Sequence, residues 1–381
     1  MKYCRNCGKP MEEDAKFCAA CGQSVDGAVA ASAKENWFDK ATRTINGFMG
    51  GNGSVRPPLK KIFGGVFEKH SKADSEEIFI CGTTHTTPEL GEDGKLWPRT
   101  WLWSRILLAF VAAFGLLHLC CSSFHNTNTY PGLMVIGSFM VPLAMLVFFF
   151  ELNTPRNISF FNIIKYFLVG GCASLVVTLL LFDFFSMELN KWLSATLIGV
   201  IEEVGKLAIV AFVIWRDKKA KYTLNGLLIG AAIGAGFAAF ESAGYAFNSF
   251  LGNLFVSGTL GASYDAMIDN IFLRALLAPG GHVIWAAMSG YAVMLVKGES
   301  QLDMSFVSKK AFWKVFWIPI ALHAVWDMPI VIGKSEIGAL FSKIVMLLLG
   351  LVIAFILIGN SLSQIGSILE AKKDEKEKIS V

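Results

Sequence analysis

The sequence predicts an all-α polytopic membrane protein of about eight transmembrane helices, preceded by a small zinc-ribbon module. Three observations carry this prediction. Hydrophobic residues make up 54% of the 381-residue chain and charged residues 17%, where soluble domains average about 25% charged. The mean hydropathy is +0.52, and the composition includes 31 Phe and 10 Trp. Apolar runs of about 20 residues recur from Trp101 onward, each long enough at about 1.5 Å per residue to cross a hydrocarbon core of about 30 Å. These values exclude soluble, collagen-like and disordered classes. A net charge of +4 points to membrane orientation and not to nucleic acid, since the basic residues flank apolar segments.

The runs lie at about 101–121, 131–152, 160–182, 193–215, 224–248, 270–296, 312–332 and 338–360. They are continuous and not alternating, so each closes its own backbone hydrogen bonds as a helix and not as a barrel strand. Lys and Arg are one-sided between them. Arg156, Arg216, Lys218, Lys219, Lys221, Lys297, Lys309, Lys310, Lys372, Lys373, Lys376 and Lys378 fall on one side, against Lys191 and Lys334 on the other. Residues 249–269, read as an outer loop, contain no Lys or Arg. Both termini are therefore expected in the cytoplasm of a bacterial cell, and an even number of spans agrees with that.

Ahead of the spans the chain divides into residues 1–24, a ribbon, and 25–98, a Gly-, Ala-, Ser- and Lys-rich stretch read as flexible linker and juxtamembrane segment. The membrane domain is expected over 99–365, and 366–381 is a charged tail. No signal-peptide core opens the chain. Cys4, Cys7, Cys18 and Cys21 form two C-x2-C knuckles separated by ten residues, each followed by a Gly at position 8 or 22. Four thiolates at this spacing suit one tetrahedral zinc. A closed thiolate set leaves no place for water, so this zinc is structural, and it supplies most of the folding energy of so short a module. The other cysteines, at 81, 120, 121 and 172, form no pattern. With Lys2, Arg5, Lys9 and Lys16 balanced by Glu12, Glu13 and Asp14, the ribbon reads as a structural module or a dock for a cytoplasmic partner.

A charge at the centre of a span costs roughly 2.5–3.5 kcal/mol on insertion scales, so ionisable residues there mark function. Four consecutive spans contain them: Glu202-Glu203 with Lys206, Glu241, His282, and His323 with Asp327. Glu202 and Lys206 are four residues apart, as are His323 and Asp327, so each pair shares a helix face. Counted from the outer ends of the runs, all these groups lie about 5–12 residues in and could form one layer in the outer half of the bilayer. Blander readings apply elsewhere. His118 is expected to bond a neighbouring helix, Arg274 to snorkel toward the interface, and the Gly226, Gly230, Gly234 series to serve close helix packing.

The combination of EExxK (202–206), FxxxE (237–241), an isolated His282 and HxxxD (323–327) resembles the PrsW family of intramembrane proteases, distant relatives of the glutamate-type CAAX prenyl proteases. Residues Glu151-Leu152-Asn153-Thr154-Pro155-Arg156-Asn157 look like a loop of that family, and the resemblance covers about residues 99–360, leaving the ribbon outside. It implies hydrolysis of a peptide bond in a single-pass membrane protein near the outer face, with membrane lipid as surroundings. It also implies catalytic roles for Glu202, Glu203, Lys206, Glu241, His282, His323 and Asp327, with Glu202 activating water. Glu241 stands where the prenyl proteases have His, so an acid dyad sharing a proton and a divalent metal site are both open. Asp327 stands where they have Asn, and either donates a proton to an oxyanion or orients His323. No HExxH, intramembrane GxGD or GxSxG motif is present. A transporter and a non-catalytic scaffold are the rival classes; no inverted repeat is visible, which weighs against transport.

The ribbon reading has a direct consequence. Purified full-length protein is expected to hold zinc at one equivalent in its N-terminal module, and Cys18→Ser with Cys21→Ser should remove that equivalent by elemental analysis while the membrane domain stays folded.

Overall fold

The computed structural model describes residues 2–3, 10–11, 36–51, 53–83, 85–90, 97–185, 190–298, 300–330 and 336–379. The four ribbon cysteines lie outside them. Apart from a short antiparallel pairing of Lys2–Tyr3 with Pro10–Met11, the regular elements among the described residues are helices. We number the longer ones α1 Trp37–Phe48, α2 Lys72–Ile80, α3 Leu102–Phe124, α4 Tyr130–Leu152, α5 Phe160–Phe184 (with a π-helical turn at Tyr166–Gly170), α6 Lys191–Arg216, α7 Thr223–Ser257, α8 Leu260–Leu277, α9 His282–Lys297, α10 Lys310–Asp327 and α11 Glu336–Ile379.

Six segments among the described residues are long and apolar enough to cross a membrane: Leu102–Phe124, Thr127–Leu152, Phe160–Phe184, Thr223–Ser257, Leu260–Lys297 and Leu340–Lys372. The protein is a multi-pass membrane protein. The remaining two of the eight expected runs are the helices α6 and α10, which fall short of that apolar standard. In α6 the shortfall comes from Glu202, Glu203 and Lys206, and in α10 from Lys310 and Lys314 at its basic end together with His323 and Asp327.

Three expectations need correction. Residues 249–269 are not a loop: α7 runs on to Ser257, Gly258 closes it with φ +67°, and α8 starts at Leu260. A glycine in the left-handed region is the ordinary helix stop. The resulting hairpin packs Ala246, Met267, Ile268 and Ile271 against Phe114, Cys121 and Leu133, and Tyr264 Oη lies 2.6 Å from His118 Nδ1, the structural role expected of that His. The run 270–296 is not one helix either. It breaks at Ala278–Gly280 around Pro279, so His282 is the first residue of α9 and not a mid-span residue.

The third correction concerns the linker. Within 25–98 the described chain folds onto the bundle, with Asn46, Met49 and Ile62 buried and Thr100 N donating to Ile62 O at 2.8 Å. The buried stripe of α1 is Asp39, Thr42 and Asn46. It has helical spacing but polar composition, so hydrophobic periodicity does not reveal it.

At the basic end of the bundle, polar side chains replace missing backbone partners. Glu151 accepts the N–H groups of Trp101, Leu102 and Trp103 at 2.8, 2.9 and 3.0 Å, satisfying the donors that open α3. Buried Asn225 donates to Asn153 and Asn157, both at 2.8 Å. The last turn of α4 and the loop after it therefore join the starts of α3 and α7.

The centre of the bundle is the contact between α7 and α9, which touch along their backbones. A Cβ at Gly226 would lie 2.3 Å from Gly290 O, at Gly230 2.0 Å from Ala286 O, and at Gly234 2.4 Å from His282 O. Small residues give two membrane helices this close approach, and the stripe ends at the backbone of His282. Gly230→Ala is thus expected to destabilise the detergent-solubilised protein by about 1–3 kcal/mol through overpacking, seen as a lower thermal midpoint. Gly252→Ala, where a Cβ meets nothing within 4 Å, should leave it unchanged or raise it.

Candidate active site

Four helices carry their ionisable residues to one level. Measured along each helix from its basic end, Glu202 is 14 residues from Arg216, Glu241 18 from Thr223, His282 15 from Lys297, His323 13 and Asp327 17 from Lys310. At 1.5 Å per residue these are depths of about 20–27 Å, in the far half of a core about 30 Å thick.

The centre is Lys206, fully buried on α6. Its ammonium donates to Glu203 Oε1 at 2.8 Å, to Glu202 Oε2 at 3.3 Å and to His282 Nδ1 at 2.8 Å. Three N–H donors thus have three acceptors. The ammonium also sits 4.2 Å from the centre of the Phe237 ring. Since Nδ1 of His282 accepts, its proton is on Nε2, which donates to Glu241 Oε2 at 3.0 Å.

His323 occupies the other side. Its Nδ1 donates to Glu203 Oε1 at 2.9 Å, and its Nε2 lies 3.3 Å from Asp327 Oδ2 and 3.6 Å from Glu202 Oε2. Asp327, on the same face one turn later, contacts the ring as the spacing predicts. Trp285 stacks on that ring at 4.4 Å. All seven sequence-derived residues, Glu202, Glu203, Lys206, Glu241, His282, His323 and Asp327, therefore belong to one contact network.

Arg274 belongs to it as well, which corrects the expectation that it snorkels. Its guanidinium turns inward, pairs with Glu241 Oε2, donates Nε–H to Ser242 Oγ at 2.8 Å and stacks 4.4 Å over the Tyr245 ring. The sequence contains a weak signal for this: Arg274 is the one basic residue between Lys221 and Lys297, so its charge needs an acidic partner. Lys343 of α11 donates to Trp326 O at 3.0 Å, one residue before Asp327.

The donor chemistry suits a cation. Four carboxylates in the network face the fixed cations Lys206 and Arg274. Glu203 Oε2 is buried without a hydrogen-bond partner. Glu202, His282 and His323 each bring one ligand atom to within 4.8 Å of the others, and two His with one carboxylate is a known catalytic zinc set that leaves a position for water. Glu241 stands behind His282, on Nε2, and Glu203 behind His323, on Nδ1, as carboxylates do behind metal-bound imidazoles, whereas Asp327 contacts the same Nε2 of His323 that faces Glu202. The residues therefore fit a divalent ion, with Lys206 as its competitor for Glu202 and His282.

A family model described as PrsW family intramembrane metalloprotease matches residues 160–358, and one described as zinc-ribbon domain matches residues 3–25. A curated protein, Protease PrsW of Clostridioides difficile (strain 630), is 24% identical over 179 residues, which is 45% of this chain and 68% of the relative. No solved structure matches. The matched region contains α6, α7, α9 and α10, the four helices that supply the sequence-derived site residues. With a matching family model over more than half of its length and the EExxK, FxxxE and HxxxD residues joined in one buried network, the chain belongs to the PrsW family of intramembrane metalloproteases.

Proposed function

We propose that the protein is an intramembrane endopeptidase of the bacterial plasma membrane that hydrolyses a peptide bond of a single-pass protein close to the outer face. The observation that carries this reading is the buried convergence of Glu202, His282 and His323 at one depth, beside a lysine that has no unspent donor. Glu202 is the general base. It takes a proton from a water molecule held among these three residues, and the hydroxide attacks the scissile carbonyl carbon. Lys206, whose three N–H groups are already committed, supplies positive charge beside the oxyanion that forms. The protonated Glu202 then gives its proton to the leaving amine, so one water is consumed and one carboxylic acid and one amine are produced.

Glu203 does not touch water in this scheme. It holds Lys206 and His323 in place, and Glu241 and Asp327 orient the two imidazoles. A divalent ion held by Glu202, His282 and His323 would polarise the carbonyl and acidify the water when bound. The ribbon cysteines hold a separate structural zinc and dock a cytoplasmic partner; nucleic acid is not a partner in this reading. The basic end of the bundle is cytoplasmic, as are both termini, which puts the depth of about 20–27 Å toward the outside.

Glu202→Gln is expected to lower turnover by about a hundred- to ten-thousandfold in a reconstituted assay with a single-pass substrate, with the thermal midpoint little changed because the amide oxygen can still accept from Lys206 while Glu203 stays to neutralise it. Wild-type turnover in this variant would sink the enzyme reading and favour a scaffold or a transporter. Glu203→Gln should differ: breaking a fully buried pair costs about 3–5 kcal/mol, so loss of activity should come with a lower midpoint and a smaller yield of folded protein. A tag at Gly261 should be reachable only from outside intact cells, and mass spectrometry should find the scissile bond on that same side.

A further inference from the structure

The face of α1 that the fold leaves uncovered is the wrong one for a water-exposed helix. At about 100° per residue, Trp37, Ala41 and Phe48 fall within about 40° of one another. The residues turned to the bundle, Asp39, Thr42 and Asn46, occupy the roughly opposite sector and are buried. Trp37 is 79% exposed and Phe48 58% exposed. Lys40 and Arg43 stand on a third sector, between the two. The helix therefore turns polar residues inward and aromatic ones outward, the reverse of a helix packed on a soluble domain.

The position of α1 explains the reversal. Asn46 accepts a hydrogen bond from Asn360 Nδ2, and Asn360 lies 20 residues beyond Leu340, where the last apolar segment begins. That distance is about 30 Å, the thickness of a hydrocarbon core. One turn further, Gln364 accepts from Thr223 at the start of α7, an independent marker of the basic end. Depth thus places α1 at the membrane boundary. Leu59 and Phe67 are exposed too, at 49% and 94%, with Lys60, Lys61 and Lys69 near them in the sequence. Aromatic residues flanked by Lys and Arg are the composition that settles at the boundary of headgroups and acyl chains.

We propose that α1 is an interfacial helix whose Trp37 and Phe48 face enters the lipid leaflet at the basic end of the bundle, with Lys40 among anionic headgroups. Its depth does not depend on the protease reading; only the side of the membrane is shared with it. One consequence concerns the ribbon. Residues 26–36 separate the matched zinc-ribbon region from α1, a reach of at most about 40 Å, so the ribbon is tethered within that distance of the membrane boundary.

The test uses the full chain in nanodiscs of phosphatidylglycerol and phosphatidylethanolamine, with p-benzoylphenylalanine replacing Trp37, Phe48 or, as control, Lys40. After irradiation, intact-mass analysis should show lipid adducts at 37 and 48 at least about fivefold more abundant than at 40, as apolar-face burial requires. Equal adduct yields at the three positions, or adducts at 37 and 48 formed with protein instead of lipid, would overturn the proposal, the second result assigning the face to a partner or another copy. Positions 37 and 48 are exposed and read independently, so a fold disturbed by one replacement leaves the other informative. Proteolysis is not the readout, so a protein that cleaves nothing still answers the question.

Discussion

A lysine ammonium with no water around it has to find three acceptors from its own chain, and at Lys206 that need ties the membrane domain together. Glu202 and Glu203 come from the same helix one turn back, but His282 comes from α9, and Glu203 in turn takes the Nδ1 proton of His323 from α10. Three helices are thus held to a single rotation and depth by one buried charge. Such networks are strong only when complete, because each group removed leaves another charge unpaired in a medium of low dielectric. The arrangement is better understood as positioning than as net stabilisation, since an apolar core of the same shape could be equally stable.

Close packing supplies the precision that charge alone lacks. Because α7 and α9 meet backbone to backbone through Gly226, Gly230 and Gly234, the start of α9 cannot drift relative to α7. Glu241, two turns beyond Gly234, therefore stands in a fixed relation to His282. The break at Pro279 belongs to the same device. It ends α8, allows Gly280 to lie against Leu347, and makes His282 the first residue of a new helix, while α8 itself carries Arg274 back onto Glu241. An outer helical hairpin thereby becomes one wall of the site.

Much of this was legible in the residues. Acids, imidazoles and a lysine are so costly in a span that their presence in four successive runs already marked a site, and i,i+4 spacing already paired Glu202 with Lys206 and His323 with Asp327. The glycine stripe and the structural His118 were legible for the same reason: few other uses suit them within an apolar helix. What misled were rules that hold on average. A loop was inferred over 249–269 because it lies between two apolar runs, yet a helix can run on past the membrane and fold back on itself. Arg274 was sent to the interface by the length of its side chain, although its charge is met by Glu241.

The sequence by itself determined the class of protein, the number of runs to within the two that charged residues make less apolar, and seven of the residues that the structure joins in one network, Arg274 excepted, because each of these follows from the local cost of placing a residue type in lipid. Only the tertiary structure decided which acid holds which base: that Glu203 and not Glu202 lies deepest between Lys206 and His323, that Glu241 is shared by Arg274 and His282, and that a stretch read as linker presents polar residues to the bundle and aromatic ones away from it. These are rotations and contacts between segments far apart in the chain. No single helix encodes them, since a polar stripe is buried or exposed according to the neighbour that meets it.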